Sequence, residues 1–242
     1  MLRALADGLV SVILAPSCAA CHASLEEPTR GPVCARCWSS VVPFVPPLCG
    51  RCGDPLPSWR VISLEAASCA RCRRQPSALS RCAAIGAYEG GLRAILHALK
   101  YDGRRSLAAP LGALMRRHGG TVLETADVLV PVPLHRRRQR SRGFNQAEEI
   151  AGAIGLPVRH LLRRRRATRS QTDLPAARRH ANVRGAFRLA WRADARDLRI
   201  VLVDDVCTTG ATLESCARVL REAGAADVRA ITAARVVSRP PR

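Results

Sequence analysis

The residues best suited to chemistry form one run near the end of the chain, at positions 200–212. Four apolar residues lead into two adjacent carboxylates, Asp204 and Asp205, and then into a turn rich in hydroxyl groups and small side chains. Backbone amides in such a turn, at the start of a helix, form an anion site, and a glycine there lets the backbone come close to a phosphate. We therefore expect phosphate contacts from Val206, Cys207, Thr208, Thr209, Gly210, Ala211 and Thr212.

The two carboxylates stand just before this turn, where they are badly placed to bind the phosphate itself. They are well placed to bind the hydroxyl groups of a sugar attached to that phosphate. The alternative interpretation of Asp204 and Asp205 is a helix-capping pair near a strand end. The threonine-glycine turn that follows them favours the sugar-phosphate site.

The second set of residues suited to chemistry is a series of cysteines in the first third of the chain. Four CxxC pairs use eight of the 11 cysteines: Cys18, Cys21, Cys34, Cys37, Cys49, Cys52, Cys69 and Cys72. Each pair can supply two corners of a tetrahedron, so four pairs predict two structural Zn²⁺ sites with four sulfur ligands each. Sequential pairing is favoured, although crossed pairing would also close both sites. The module serves either as a docking platform or only as a replacement for a small core.

The charge of the chain is strongly positive. Lysine and arginine outnumber aspartate and glutamate by 39 to 19, for a formal net charge of +20. This favours polyanionic partners or phosphate-rich ligands, although an arginine-rich composition without a specific partner explains it equally well. Lys100 is the only lysine, which suggests that a compact ammonium is needed there. The phosphate loops of P-loop ATPases and of dinucleotide-binding domains, GxxxxGK[ST] and GxGxxG, are both missing.

Apolar runs alternate with helical patterns after residue 82, which predicts an α/β fold with a parallel sheet covered by helices on both faces. Strands are expected at 83–88, 126–132, 156–159, 198–203 and 228–237, and helices at 91–99, 107–117, 145–154 and 212–223. The arginine-rich segment 162–184 is expected to be a mobile loop. The predicted division is a double zinc-ribbon module at 1–82 and an α/β domain at 83–242.

The first 17 residues predict a short amphipathic lead-in helix. Leu2, Leu5, Leu9 and Ile13 recur near helical spacing, and Asp7 interrupts the apolar stretch in a way that disfavours a signal peptide. No stretch approaches the ~20 apolar residues of a transmembrane helix. We expect a cytoplasmic protein without a membrane span.

The run VLVDDVCTTGAT at 201–212 resembles the phosphoribosyl diphosphate-binding motif of type I phosphoribosyltransferases. Further blocks narrow the resemblance to the ComF (ComFC-like) proteins associated with DNA uptake, namely 99–104, 130–133, 142–146 and 185–187, together with the CxxC pairs. The resemblance covers nearly the whole chain. It implies a parallel-sheet type I phosphoribosyltransferase domain preceded by a small four-cysteine zinc-ribbon module.

The resemblance also implies roles for individual residues. Asp204 and Asp205 would hold the ribose hydroxyls, and residues 208–212 would cradle the 5′-phosphate. Mg²⁺ would be held chiefly by the oxygens of phosphoribosyl diphosphate and by water, with these carboxylates nearby. Arg142 is a candidate diphosphate contact, and Lys100 is a candidate for a further phosphate or nucleobase-side contact. Segment 162–184 occupies the position of the family's flexible catalytic loop.

Two functions remain open from the sequence. The first is a phosphoribosyltransferase, which displaces diphosphate at the anomeric carbon in DNA uptake (competence) or nucleotide metabolism. The second is a non-catalytic single-stranded-DNA-handling protein that uses the basic surface and the zinc ribbons, with competence or DNA-processing proteins as partners. Aromatic residues make up only 3% of the chain, which argues against a broad base-stacking groove. Both functions can hold in one protein.

Overall fold

A computed structural model describes residues 2–56, 68–166, 183 and 185–237. Within the described part of the first 81 residues, helices are connected by loops and turns. An α/β unit follows. The helices are α1 (Leu2–Leu14), α2 (Ala35–Ser39), α3 (Ala70–Arg74), α4 (Gly90–Tyr101), α5 (Ala108–His118), α6 (Arg136–Arg142), α7 (Gln146–Ile154) and α8 (Ala211–Glu222). The strands are β1 (Cys82–Ala87), β2 (Val128–Pro131), β3 (Leu162–Arg164), β4 (Phe187–Leu189), β5 (Arg199–Cys207) and β6 (Asp227–Arg235).

The main sheet has four parallel strands in the order β1-β6-β5-β2. Strand β5 lies inside the sheet, with Val203 opposite Pro131 of β2 and Ile231 of β6. Residues 200–203 are buried, as expected for a parallel strand covered on both faces. Because all strands run the same way, the segments after β2, β5 and β6 meet at one edge of the sheet, where open α/β folds bind ligands.

Helices cover both faces of this sheet, as the alternating pattern predicted. Helices α4, α5 and α7 share one apolar core with sheet residues such as Val201 and Val203. Helix α8 and the β3–β4 pair share a second core with Ile200 and Leu202. The alternation of side chains along β5 therefore supplies both cores from a single strand.

Two predictions about local structure need correction. Segment 156–159 is not a strand of its own, because it makes a single parallel bridge between Val158 and Leu129. The predicted loop 162–184 begins with strand β3, which pairs antiparallel with β4 and buries Leu162. The rest of the predicted loop, residues 167–182 and 184, lies outside the described residues.

Helix α6 was not predicted, since its seven residues contain no apolar side chain. It forms because its two ends are stabilised locally. The imidazole of His135 accepts a hydrogen bond from the amide of Arg137, and Gly143 ends the helix at φ +75°. The turn after β2 is thereby followed by a short, arginine-rich helix.

Backbone hydrogen bonds help to attach the cysteine-rich region to the α/β unit at two places. Near the first CxxC pairs, the amide of Phe44 donates to the carbonyl of Ile85 at 2.7 Å. Near the third pair, the amide of Cys82 donates to the carbonyl of Arg51, also at 2.7 Å. The predicted lead-in helix is present as α1, and its Asp7 accepts a hydrogen bond from the amide of Thr29 at 2.9 Å. A domain boundary at residue 82 stays a prediction.

Among the described residues, no helix combines the length and the apolar character needed to cross a bilayer.

Candidate functional site

The turn that follows β5 is built as the sequence predicted. Gly210 takes φ +80°, which the chain needs to leave the strand and enter α8. Helix α8 begins at Ala211 and runs for 12 residues, so its first amides and its positive dipole end face the turn. The amide of Ala211 donates to Oγ1 of Thr209 at 3.4 Å, and the amide of Glu214 to the carbonyl of Gly210 at 2.9 Å. A turn of this form at the start of a helix is a type of backbone that can bind an anion.

The two carboxylates lie directly before this turn, and their backbone belongs to β5. Oδ1 of Asp204 accepts a hydrogen bond from the amide of Asp205 at 2.9 Å. Burial, together with the neighbouring charge of Asp205, raises the pKa of Asp204 to about 7. Near neutral pH the pair can therefore carry one or two negative charges, and a cation at this position favours two.

Lys100 lies in the last turn of α4, and its ammonium approaches the carboxylates. Nζ of Lys100 is 2.9 Å from Oδ1 of Asp205, and both side chains are 13% exposed. Burial alone lowers the pKa of Lys100, but the charges of Asp205 and Asp204 outweigh it and leave the pKa raised. The ammonium also lies 5.8 Å from the centre of the Tyr88 ring. Because Lys100 stays charged, it offsets the negative charge of the pair.

Arg142 ends α6 on the neighbouring side of the site. Its guanidinium lies 5.0 Å from the centre of the Tyr101 ring, next to Lys100 in the chain, and donates to Oε1 of Gln146 at 3.2 Å. The buried Asn145 fixes the preceding loop by donating to the carbonyl of Val132 at 3.1 Å. The structure thus brings Arg142 to the side of the sheet edge where the resemblance implies a diphosphate contact, and the contact itself stays a prediction.

Two arginines near the site were not singled out from the sequence. Burial, followed by the charge of Arg138, lowers the pKa of Arg164, and Arg164 in turn acts on Asp204. The Arg164 guanidinium lies 5.3 Å from the centre of the Phe187 ring on the paired strand. The available signal was the block Gly185-Ala186-Phe187, but it does not reveal that β3 and β4 pair. A third arginine, Arg235 at the end of β6, contacts Cys207.

The eight predicted metal ligands form two clusters, and the sequential pairing is confirmed. Within each cluster the four sulfur atoms lie within 4.8 Å of one another: Cys18, Cys21, Cys34 and Cys37 in one, Cys49, Cys52, Cys69 and Cys72 in the other. Four sulfurs so arranged fit a closed tetrahedral Zn²⁺ site, which is structural because no position is left for a substrate. We call residues 16–42 the first ribbon and residues 48–74 the second ribbon.

Backbone amides point at the sulfur atoms in both clusters. The amide of Cys34 donates to Sγ of Cys18 at 3.3 Å, and the amide of Cys69 donates to Sγ of Cys49 at the same distance. Hydrogen bonding from Cys52 is the largest effect that lowers the pKa of Cys49, to about 3. Donors of this kind stabilise the thiolate, which is the form that binds Zn²⁺.

Two family models match the chain. The double zinc ribbon domain matches residues 9–73, and the phosphoribosyl transferase domain matches residues 118–241. The first range contains all eight clustered cysteines, and the second contains the carboxylates, the turn and Arg142.

Curated relatives match over most of the chain. The DNA utilization protein YhgH of Salmonella typhimurium is 33% identical over 211 residues, which cover 81% of this chain and 87% of the relative. Competence protein F of Haemophilus influenzae is 30% identical over 223 residues, covering 88% and 93%. Competence protein ComFC of Bacillus subtilis is 36% identical over 110 residues, covering 43% of each chain.

Proposed function

The chain belongs to the ComF family of phosphoribosyltransferase-domain proteins with an N-terminal double zinc ribbon, and from this premise we propose that it binds phosphoribosyl diphosphate with Mg²⁺ at the end of β5. The observation that carries the proposal is the order of parts at this edge. Two acidic side chains come directly before a turn that is rich in hydroxyl groups and leads into a 12-residue helix. A sugar phosphate needs both kinds of group side by side: carboxylates that accept hydrogen bonds from its hydroxyls, and amides or hydroxyls that donate to its phosphate. Few other ligands need both.

The phosphate end of the ligand would lie in the turn. The amides at the start of α8 and the hydroxyls of Thr208, Thr209 and Thr212 supply donors, and the helix dipole adds a favourable field. Gly210 has no side chain to keep the phosphate from the backbone. This part of the site needs no charged side chain, since an isolated anion is stabilised by the helix start itself.

The ribose end would lie on the carboxylates. Asp204 and Asp205 accept hydrogen bonds from the 2′- and 3′-hydroxyls, and carboxylate oxygens are suitable neighbours for Mg²⁺. Bound Mg²⁺ neutralises charge on the diphosphate and so makes it a better leaving group. Lys100 places its ammonium 2.9 Å from Oδ1 of Asp205 and so offsets the negative charge of the pair before the ligand binds.

The proposed reaction is a displacement at the anomeric carbon. The bond from that carbon to the diphosphate oxygen breaks with its electron pair on the diphosphate, and the acceptor forms the new bond and releases its proton. The proposed step uses no nucleophile from the protein. The protein would supply position and charge: the carboxylates would face the developing positive charge on the ribose, and Arg142, Arg138 and Arg164 would stabilise the leaving diphosphate.

A single-stranded-DNA-handling role is the second candidate. Two observations favour it: the formal charge of +20, and the names of relatives described as DNA utilization and competence proteins. The exposed residues Arg136, Arg137 and Arg140 of α6 lie beside the site and could follow a nucleic-acid backbone. Eight thiols arranged for Zn²⁺ also fit a reducing compartment, so we propose a cytoplasmic location.

Calorimetric titration with phosphoribosyl diphosphate and Mg²⁺ tests the first function. The zinc-loaded wild type should bind, and the Asp204→Asn/Asp205→Asn double variant should bind at least about 100-fold more weakly, because hydrogen bonds to charged groups contribute about 1.5–3 kcal/mol each. Asp127→Asn is the matched control, since Asp127 lies beside the opposite end of β5 and pairs with Arg199. No binding by the folded wild type would overturn the proposal.

The same variants separate the two functions. If DNA binding is general electrostatics, Asp204→Asn should leave DNA affinity unchanged or slightly higher, and affinity should fall steeply with salt. If the pocket holds the end of a strand, the change should weaken binding only for strands that carry a 5′-phosphate. If neither the Asp204→Asn change nor the presence of a terminal phosphate alters the DNA affinity, the pocket takes no part in DNA binding.

A further inference from the structure

A buried network of charged and polar side chains joins the second ribbon to the turn between β5 and α8. We call this turn, residues 208–210, the phosphate turn. Arg235, the last residue of β6, is only 3% exposed. Its Nη1 donates to Sγ of Cys207 at 3.1 Å, and its Nε pairs with the carboxylate of Asp54. Asp54 follows Cys52 of the second ribbon by two residues. One guanidinium therefore contacts both the ribbon and the last strand residue before the turn.

Both halves of the second ribbon hold Asp54 in place. The backbone carbonyl of Asp54 accepts a hydrogen bond from the amide of Cys49 at 2.8 Å. Its side chain also pairs with Nη2 of Arg71 at 3.5 Å, and Arg71 lies between Cys69 and Cys72. The position of this carboxylate thus depends on both CxxC knuckles of the cluster.

On the other side of the network, Cys207 is fixed at the point where β5 becomes the turn. The residue is buried, and its carbonyl accepts a hydrogen bond from the amide of Val236 at 2.9 Å. The sulfur lies beside the turn, since a Cβ added to Gly210 would make an ordinary van der Waals contact with it at 3.8 Å. Cys207 is also joined to the turn through the backbone, because it directly precedes Thr208.

The chain that follows the second ribbon holds the far side of the turn. Oγ of Ser77 donates to Oε2 of Glu214 at 2.6 Å, and the amide of Ala78 donates to Oε1 of Glu214 at 3.0 Å. Glu214 lies in the first turn of α8. The phosphate turn therefore has a contact on each side. Cys207, before the turn, is linked through Arg235 to the second ribbon, and Glu214, after the turn, contacts the segment that follows this ribbon.

We propose that Asp54 and Arg235 are positioning residues for the phosphate turn, which they couple to the folded second ribbon. The pair lies away from the ligand and acts through Cys207. Since Arg235 is buried, loss of its carboxylate partner leaves a charge without compensation, and the guanidinium must move or draw in water. The turn then loses the contact that fixes Cys207, the residue directly before it. This inference rests on the proposed function for its consequence on ligand affinity, but the coupling itself can be measured without a ligand.

Hydrogen exchange of the zinc-loaded protein tests the coupling. In Asp54→Asn, the amides of residues 208–214 should exchange at least about fivefold faster than in the wild type, the lower end of typical coupling between sites. The amides of residues 200–203 should keep their protection. Asp127→Asn is the control, because it breaks an aspartate–arginine pair with Arg199, which lies at the opposite end of β5 from the turn. It should leave residues 208–214 unchanged.

Affinity provides the second measurement. Phosphoribosyl diphosphate with Mg²⁺ should bind Asp54→Asn at least about fivefold more weakly and Asp127→Asn as tightly as the wild type. A wild type that does not bind overturns the proposed function, and the exchange comparison still decides the coupling. Unchanged exchange at residues 208–214 in zinc-retaining Asp54→Asn overturns the coupling. If Asp54→Asn loses zinc, the same exchange comparison is made with Arg235→Gln, since Arg235 lies outside both zinc ribbons. Unchanged exchange at residues 208–214 in that variant would overturn the coupling.

Discussion

The two cysteine clusters have the same ligands, each built from two CxxC pairs, but the two ribbons are attached to the α/β unit in different ways. The first ribbon contributes apolar side chains to the core under α4: Cys18, Leu25, Val33, Cys37 and Val41. The second ribbon is attached through polar groups, namely the carboxylate of Asp54, which pairs with Arg235, and the carbonyl of Arg51, which accepts from the amide of Cys82. Apolar packing tolerates small shifts, whereas a buried charge pair fixes distance and direction.

This difference suggests a division of roles. The first ribbon supports the helix that carries Lys100, and hence the charge next to Asp205. The second ribbon supports the backbone that would hold the phosphate. We therefore expect damage to the first ribbon to appear mainly as lost stability and damage to the second mainly as lost affinity.

Removal of one metal ligand from each ribbon should give the largest effects. Cys18→Ser and Cys49→Ser should each release one Zn²⁺ and lower the free energy of unfolding by about 3 kcal/mol or more. The loss should be greater for Cys18→Ser, whose ribbon supplies core side chains, whereas ligand affinity should fall further for Cys49→Ser. Zinc content, urea unfolding and calorimetry measure the three quantities. Equal ratios of affinity loss to stability loss in the two variants would contradict the division of roles.

Substitution of one glycine at the contact of each ribbon with the α/β unit should have an intermediate effect on the free energy of unfolding, and the two effects can be compared. A Cβ on Gly53, which has φ +73°, would lie 2.7 Å from the carbonyl oxygen of Cys82, a backbone atom that has little room to move. A Cβ on Gly91 would lie 2.1 Å from Oγ of Ser40, which can rotate away, and 3.0 Å from the carbonyl oxygen of Cys37. Gly53→Ala should cost about 2–4 kcal/mol of unfolding free energy and Gly91→Ala about 1 kcal/mol, both measured by urea unfolding.

Two further variants control for backbone strain and for the nature of the clash. Gly31→Ala introduces unfavourable φ at +133° with no atom within 4 Å of the new Cβ, so it measures strain alone in the first ribbon. Ser40→Ala should recover most of the loss in Gly91→Ala, because it removes the atom that clashes. A cost for Gly53→Ala no greater than that for Gly31→Ala would mean that the second ribbon is not held closely against β1.

The smallest expected effect is a shift in pH dependence that separates charge from position. Lys100 lowers the pKa of Asp204, so Lys100→Met should raise that pKa above its value of about 7. Hydroxyl and Mg²⁺ binding needs the carboxylate form, so affinity is lost as pH falls through this pKa, and in Lys100→Met the loss should begin at higher pH. Asp54→Asn should bind more weakly at every pH without moving the midpoint. Carboxyl ¹³C shifts of Asp204 in the free protein measure the pKa directly.

The turn and the zinc sites could be predicted from the sequence, whereas the network that links them could not. The turn was predictable, because apolar residues 200–203, the two carboxylates and the threonine-glycine turn are consecutive and each follows a local rule. The two zinc sites were predictable in the same way from spacing. The network of Asp54, Arg235 and Cys207 was not, because Asp54 and Arg235 are 181 positions apart and meet only through the docking of the second ribbon.

The arginine-rich segments show a second reason for failure. Helix α6 has no apolar residue to reveal its period and depends on His135 and Gly143 at its ends. The arginine-rich segment 162–184 was expected to be a mobile loop, yet Leu162 at its start is buried and lies in a strand that pairs with β4. In both cases the charge of the side chains hides a backbone structure that is decided by neighbours elsewhere in the fold.

The position of Lys100 makes the protein easy to observe. It is the chain's only lysine, and its ammonium lies 2.9 Å from Asp205 at the centre of the predicted site. Reductive methylation with ¹³C-formaldehyde would therefore add a single side-chain signal to that of the α-amine. Amine-reactive dyes and affinity supports that couple through lysine would act on the same group and would therefore modify the predicted site itself. The methyl signal would report on the carboxylate pair as ligands, metal ions and pH are varied.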